Sequence, residues 1–207
     1  MPPATPVRVS DLFAFMPVLT NVIRVNRATA EGMSRQWTSR LVDVARDRRN
    51  ELGYWYVGRD LHPEVTPARW LADPDNDHSW IIQGDNGVLY AGVGTAMPAA
   101  RGRLVSAEIG DEASFYTDDT GTVWPLPGTG YAYHRAGHRG AGPERLAETL
   151  TALIGNAAAD VHQPPLRNGR NTELVEALNR SVSTHQAPLV IHADELPSIR
   201  AARTIAE

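Results

Sequence analysis

The spacing of apolar and polar positions changes period along this chain. Near the start, Leu12, Phe13, Phe15, Met16, Leu19, Val22 and Ile23 are dense enough to be core. Ser10 can cap a short helix there, with Asp11 in its first turn, and Pro17 interrupts it. Over 28–52, Met33, Trp37, Leu41, Val44 and Leu52 recur near every third or fourth position, which predicts one long helix. Gly53 stands where a left-handed C-terminal cap belongs. Residues 54–78 show no period and read as irregular, with a short helix start at Thr66-Pro67.

From Ser79 the period shortens. SWIIQ, the turn Asp85-Asn86-Gly87 and VLYAGVGT make a strand, turn, strand signal. RLVSAEIG alternates, and SFYTD, a DDTG turn, TVWPL and a last strand GYAYH follow. Short polar turns between successive strands predict antiparallel pairing over residues 79–135. Helical spacing then returns. A helix runs from Gly142-Pro143 to about Ala158, with Leu146, Leu150, Leu153 and Ile154 on one face. After a loop at 161–170, Asn171 caps a helix over Thr172–Arg180 that buries Leu174, Val175 and Leu178. APLVIHA reads as a short strand, and Glu195 to Ala206 as a terminal helix. The expected fold is α+β: an antiparallel sheet of five or six strands, packed by N-terminal and C-terminal helices. It forms a single domain over 10–207 behind a loose arm at 1–9, with 10–53 helical and 143–206 helices with one short strand.

Composition narrows the chemistry. The chain has 207 residues, no cysteine and, among its 20 basic residues, no lysine. Disulfides, thiolate metal sites, a cysteine nucleophile and an amine base are thereby excluded. Every fixed positive charge is a planar fork suited to carboxylate or phosphate. The net charge of −4 argues against a protein that coats nucleic acid. It is unevenly spread: +3 over 1–60, −7 over 61–133 and 0 over 134–207. The start lacks the pattern of a secretory signal, and Leu12 to Val25 is too short and interrupted to span a membrane. The expectation is a cytoplasmic protein with no membrane contact.

Two stretches invite a ligand or partner. The first is Arg35, Arg40, Arg46 and Arg49, with Asp43 and Asp47 among them, on the polar face of the predicted 28–52 helix. The second is YHRAGHRGAGPERLAETL, residues 133–150. There Gly137, Gly140 and Gly142 allow close backbone approach, and Arg135, His138 and Arg139 add donors ahead of a helix start, a recipe for an anion. Pro143 removes one of the N–H donors and Glu144 adds a negative charge to the same turn. The run Arg139-Gly140-Ala141-Gly142 resembles part of the acetyl-CoA loop of GNAT-type acetyltransferases, with Glu144 where the last Gly or Ala belongs. That resemblance implies acyl transfer with pyrophosphate on loop amides, acetyl-CoA as cofactor and a strand directly after the helix. GAGPERLAETL also resembles a short pattern in small uncharacterised phage and bacterial proteins, which implies no activity.

Other constellations are incomplete. Asp73-Pro74-Asp75-Asn76-Asp77 alternates acids, but His78 and Gly84 occupy the positions where a calcium loop needs Gly and Glu. No HExxH and no G-x-S-x-G occurs, and no metal site is expected. Tyr54, Trp55, Tyr56 and Trp70 cluster after the long helix and could stack on a partner. Two functions stand: a non-catalytic accessory protein, without cofactor, that binds a protein or nucleic-acid partner through its surface, and a CoA-dependent acyltransferase using residues 137–142. A homo-oligomer stays open.

Overall fold

A computed structural model of the chain describes residues 21–128, 134, 136–163 and 167–196. The α+β class holds, and among the described residues every strand pairing is antiparallel. The strands fall into two sheets rather than one. The first contains β1 (Asn21–Asn26), β2 (Val42–Asp43), β3 (Pro67–Ala72), β4 (Ile81–Gly84) and β5 (Val88–Val93), in the order β1-β5-β4-β3-β2. The second contains β6 (Leu104–Ile109), β7 (Ser114–Asp118), β8 (Val123–Pro125) and β9 (Leu189–His192), in the order β8-β7-β6-β9.

The helices are α1 (Gly32–Arg40), α2 (Leu52–Gly58), α3 (Ala141–Gly155) and α4 (Gly169–Thr184). Three apolar clusters set the layers. Tyr54 and Val57 of α2 pack with Trp80, Ile82 and Tyr90 on the outer face of the first sheet. Trp37 and Leu41 join Leu71, Ile81 and Leu89 to Phe115 and Val123 of the second sheet. On the far side, Ala107, Ile109 and Tyr116 meet Leu146, Leu150, Leu178 and Val182 of α3 and α4. The order is therefore α2, first sheet, α1, second sheet, then α3 with α4.

The predicted 28–52 helix is broken. It stops at Arg40, Val42–Asp43 pairs with β3, and a 3-10 turn at Arg48–Asn50 leads into α2. Met33, Trp37 and Leu41 do face one core, but Val44 joins Tyr54 and Val57 on the opposite side of the sheet. One straight helix cannot serve both sides of a sheet, so the chain crosses its edge in extended form. Gly53 consequently lies inside α2, not at a helix end, where an added Cβ would run into the Trp80 indole. Leu52, expected to be buried, is exposed. The region 10–53 thus contains strands as well as helix; its residues 10–20, the 1–9 arm and the 197–206 part of the expected terminal helix lie outside the described residues. Pro67 opens a strand instead of a helix, a position where the missing N–H costs little.

Both hairpin turns form where the sequence placed them. Gly87 and Gly121 take φ of 79° and 80°, conformations that need glycine. The expected strand GYAYH lies outside the described residues up to Tyr133, and His134 is not in a strand. Helix α3 ends at Gly155, because Asn156 is already extended. Helix α4 begins before Asn171: the Asn168 side chain caps it, accepting from the Asn171 N–H at 3.3 Å.

Two buried carboxylates organise the loops. Asp73 accepts from Trp37 Nε1 at 3.0 Å and from Arg40 Nε at 2.9 Å and Nη2 at 2.6 Å. The same Nη2 donates to the Val123 carbonyl at 2.6 Å, in the second sheet. Asp118 accepts from Trp124 Nε1 at 2.9 Å, the Arg101 N–H at 2.8 Å, and Thr120 Oγ1 at 2.6 Å. Glu108 accepts from the Met33 N–H at 2.9 Å and so places a carboxylate on the first turn of α1, where the helix dipole favours it.

Removing one partner of a buried ion pair costs about 3–5 kcal/mol. Side-chain exposures of 18% for Arg40 and 2% for Asp73 place the Arg40→Met variant toward the low end of that range. Arg40→Lys should recover only part of the loss, since an ammonium cannot make the forked contact. Urea unfolding measures both variants, and an Arg40→Met loss below about 1 kcal/mol would refute the assignment.

Candidate functional site

The arginines singled out in the sequence separate in the structure. Arg40 is committed to Asp73 and its guanidinium lies 5.0 Å from the Trp124 ring centroid, so it offers no free charge. Arg35 is exposed on α1 and donates to the Ala30 carbonyl at 2.9 Å. Arg46 is exposed in the turn before the 3-10 segment. Arg49, in that segment, lies 4.9 Å from the centre of the Trp70 ring. The common helix face they were expected to share does not exist, because the helix ends at Arg40.

A different surface takes its place. Helix α2 packs Tyr54 and Val57 inward, and the Tyr54 hydroxyl donates to the Leu71 carbonyl at 2.9 Å. Burial of that phenol pushes its pKa up to about 12. Glu51 starts the helix, accepting from Trp80 Nε1 and Arg48 Nε, each at 2.7 Å. The Arg48 contact is the main cause holding Glu51 below the usual carboxylate range. With one side fixed, Leu52, Trp55 and Arg59 share the outward stripe, at helical spacing. Trp55 is 61% exposed and Leu52 44%. The Arg59 guanidinium sits 5.1 Å from the Trp55 ring centre. Arg24 of β1 lies 5.8 Å from the Tyr90 ring on the same outer face. Contacts of this kind contribute about 0.5–1 kcal/mol at exposed sites. The sequence marked Trp55 and Trp70 as aromatics; it did not show which would face outward or that arginines would cover them.

The glycine-rich stretch is only partly assembled. Arg135 lies outside the described residues. Gly137 takes φ of 81° and donates to the Val182 carbonyl at 2.8 Å, docking the loop on the end of α4. His138 is exposed, with Nδ1 3.4 Å from the Ala136 carbonyl. Gly140 precedes α3 at φ of 146°, and Gly142 lies in its first turn. Arg139 and Gly140 line a pocket of about 330 Å³ with Asn179, Arg180, Ser183 and Thr184. Arg180 is the addition that sequence order hid, since it comes from the antiparallel neighbour helix. The last carbonyls of α4 lie in the same region and oppose an anion there.

A larger cavity of about 420 Å³ lies between β1 and the β6–β7 turn, lined among others by Arg24, Asp60, Asp111, Glu112 and His134. His134 Nε2 lies 3.4 Å from Thr149 Oγ1, and burial lowers its pKa to about 4. Among the described residues, no group of three or more His, Asp or Glu is placed to hold a metal ion, and no helix is long and apolar enough to cross a membrane.

The class these features define is an α+β protein with two antiparallel sheets and an arginine- and aromatic-bearing outer face. Comparison with family models, curated proteins and solved structures gives no match for this chain.

Two groups give stability an acid dependence in separate windows. Folding disfavours the charged His134, so stability should fall as pH drops from 6.5 toward about 4. Burial raises the Asp118 carboxyl, but hydrogen bonds from Thr120, Trp124 and the Arg101 N–H outweigh it and lower the pKa below 3.8. Its contribution is present above that value and lost as pH falls further. Urea midpoints between pH 7 and 3 should show both limbs, and His134→Gln should flatten the upper one alone. An unchanged upper limb in that variant would remove His134 as its cause.

Proposed function

We propose that this chain is a non-catalytic binding protein that engages a protein partner through the outward face of α2. The observation that carries the reading is Trp55, 61% exposed on a helix whose other side is fixed in the core. Tryptophan and arginine are enriched among residues that dominate protein–protein binding energy. Leu52 extends the apolar area, and Arg59 orients the indole. A nucleic-acid partner has less support, given the net charge of −4.

Affinity capture followed by titration of the purified captured protein tests this. Trp55→Ser should weaken binding at least about tenfold while moving stability by no more than about 0.5 kcal/mol. Equal affinity in the variant would sink the α2 face. Arg40 is unsuitable for such a test, because its replacement attacks the fold.

The acyltransferase reading has one specific support, the convergence of Arg139 and Arg180 on one pocket. Against it, among the described residues α3 is followed by α4 and not by the strand that the resemblance implies. Thermal unfolding with CoA decides. A ligand at a hundred times its dissociation constant adds about 2.7 kcal/mol, a gain that Arg139→Ala and Arg180→Ala should each reduce. No gain with CoA disposes of the reading.

A further inference from the structure

We infer that the partner contributes an acidic polypeptide segment, with an apolar side chain among its carboxylates, to the α2 face. This rests on the binding reading above and adds the chemistry of what is bound. Arg24, Arg49 and Arg59 supply positive charge to this outer face. Each is exposed and each lies over an aromatic ring: Tyr90 at 5.8 Å, Trp70 at 4.9 Å and Trp55 at 5.1 Å. Among the described residues none of the three forms an ion pair, although Arg40, Arg48, Arg69, Arg103, Arg145 and Arg167 do. Asp43 feels Arg49 electrostatically but is already bonded to Arg69 at 2.7 Å.

A guanidinium placed over a ring is restrained in orientation while its N–H edge stays available. That edge matches a carboxylate with two parallel hydrogen bonds. Arg49 lies above β3, Arg59 at the end of α2, and Arg24 on β1, so the three are spread across the face with Leu52 and Trp55 between them. Arg24 shares a cavity with Asp60, Asp111 and Glu112, whereas Arg49 and Arg59, without an ion pair on either side of an exposed indole, are complementary to carboxylates surrounding an apolar anchor. Phosphates would satisfy the charge, but Leu52, 44% exposed beside Trp55, supplies aliphatic surface that a phosphate backbone leaves unfilled.

Fluorescence anisotropy with the full chain tests the assignment. The probe is a labelled twelve-residue peptide of Asp and Glu with a central Leu-Phe pair. Its controls are the Asn/Gln twin and a single-stranded oligonucleotide of equal charge. The acidic peptide should bind at least about tenfold tighter than its amide twin, and weaken as salt rises. Arg49→Gln with Arg59→Gln should lose that preference, and the paired lysine variants should recover part of it. Retained thermal midpoints would show that these exposed changes leave the fold intact. No binding of the acidic peptide, equal binding of the twin, or tighter binding of the oligonucleotide overturns the inference. So does concentration-dependent self-association that Trp55→Ser abolishes, which would make the occupant a second copy. If Trp55→Ser weakens the captured partner while the arginine variants do not, the α2 reading stands and the acidic one fails. If neither moves it, both fail.

Discussion

Arg40 is where the two sheets are tied together. Its guanidinium holds the Asp73 carboxylate at the end of β3 and reaches the Val123 carbonyl in β8. Trp37, one turn earlier on α1, donates to the same carboxylate and lays its ring 5.4 Å from Phe115. The pair is nearly dry, so its geometry has to be good to offset desolvation. Four N–H donors on Asp73, the Asp75 backbone N–H among them, and a carbonyl on Arg40 supply that geometry. Helix α1 is therefore positioned from both ends, by Glu108 at its start and Asp73 at its finish.

That constraint explains the path of the chain afterwards. Arg40 must stay beside Asp73, so the helix ends there and the chain leaves along the edge of β3. It crosses to the outer face, where α2 can cover the aromatic cluster. The arginines that sequence order placed on one helix are thereby dealt to different tasks. Arg40 joins the layers, Arg35 and Arg46 stay exposed, and Arg49 is left over a ring at the surface, as is Arg59 from the stretch that read as irregular.

Period and turn chemistry made much of the sheet region legible. Asp85-Asn86-Gly87 and Asp118–Gly121 named their turns because only particular residues take those dihedrals cheaply. The helices α3 and α4 and the strand β9 were readable for similar local reasons. What stayed hidden was non-local. Val44 follows Trp37 and Leu41 at helical spacing, yet its burial is set by a helix that begins eight residues later. Nothing local distinguishes Asp73 from the other acids of its loop; the side chains that donate to its carboxylate lie 33 and 36 residues away. The division into two sheets was invisible because strand alternation does not say which strand comes next in space.

The candidate site was legible only as ingredients. Trp55 and Tyr54 are adjacent aromatics, and the sequence treats them alike. The helix register separates them completely: Tyr54 spends its hydroxyl on the Leu71 carbonyl, and Trp55 faces water with Arg59 above it. Gly53 fixes that register, since an added Cβ would meet the Trp80 indole, which is itself bound by Glu51. The outer face is thus rigid where it presents its aromatic and arginine groups. Rigidity matters for binding, because side chains already held in place lose less entropy when a partner arrives. A stacked arginine that has no internal carboxylate gains most from meeting an external one. The same preference for forked, charge-assisted bonds that secures Arg40 inside the fold is what Arg49 and Arg59 offer outside it.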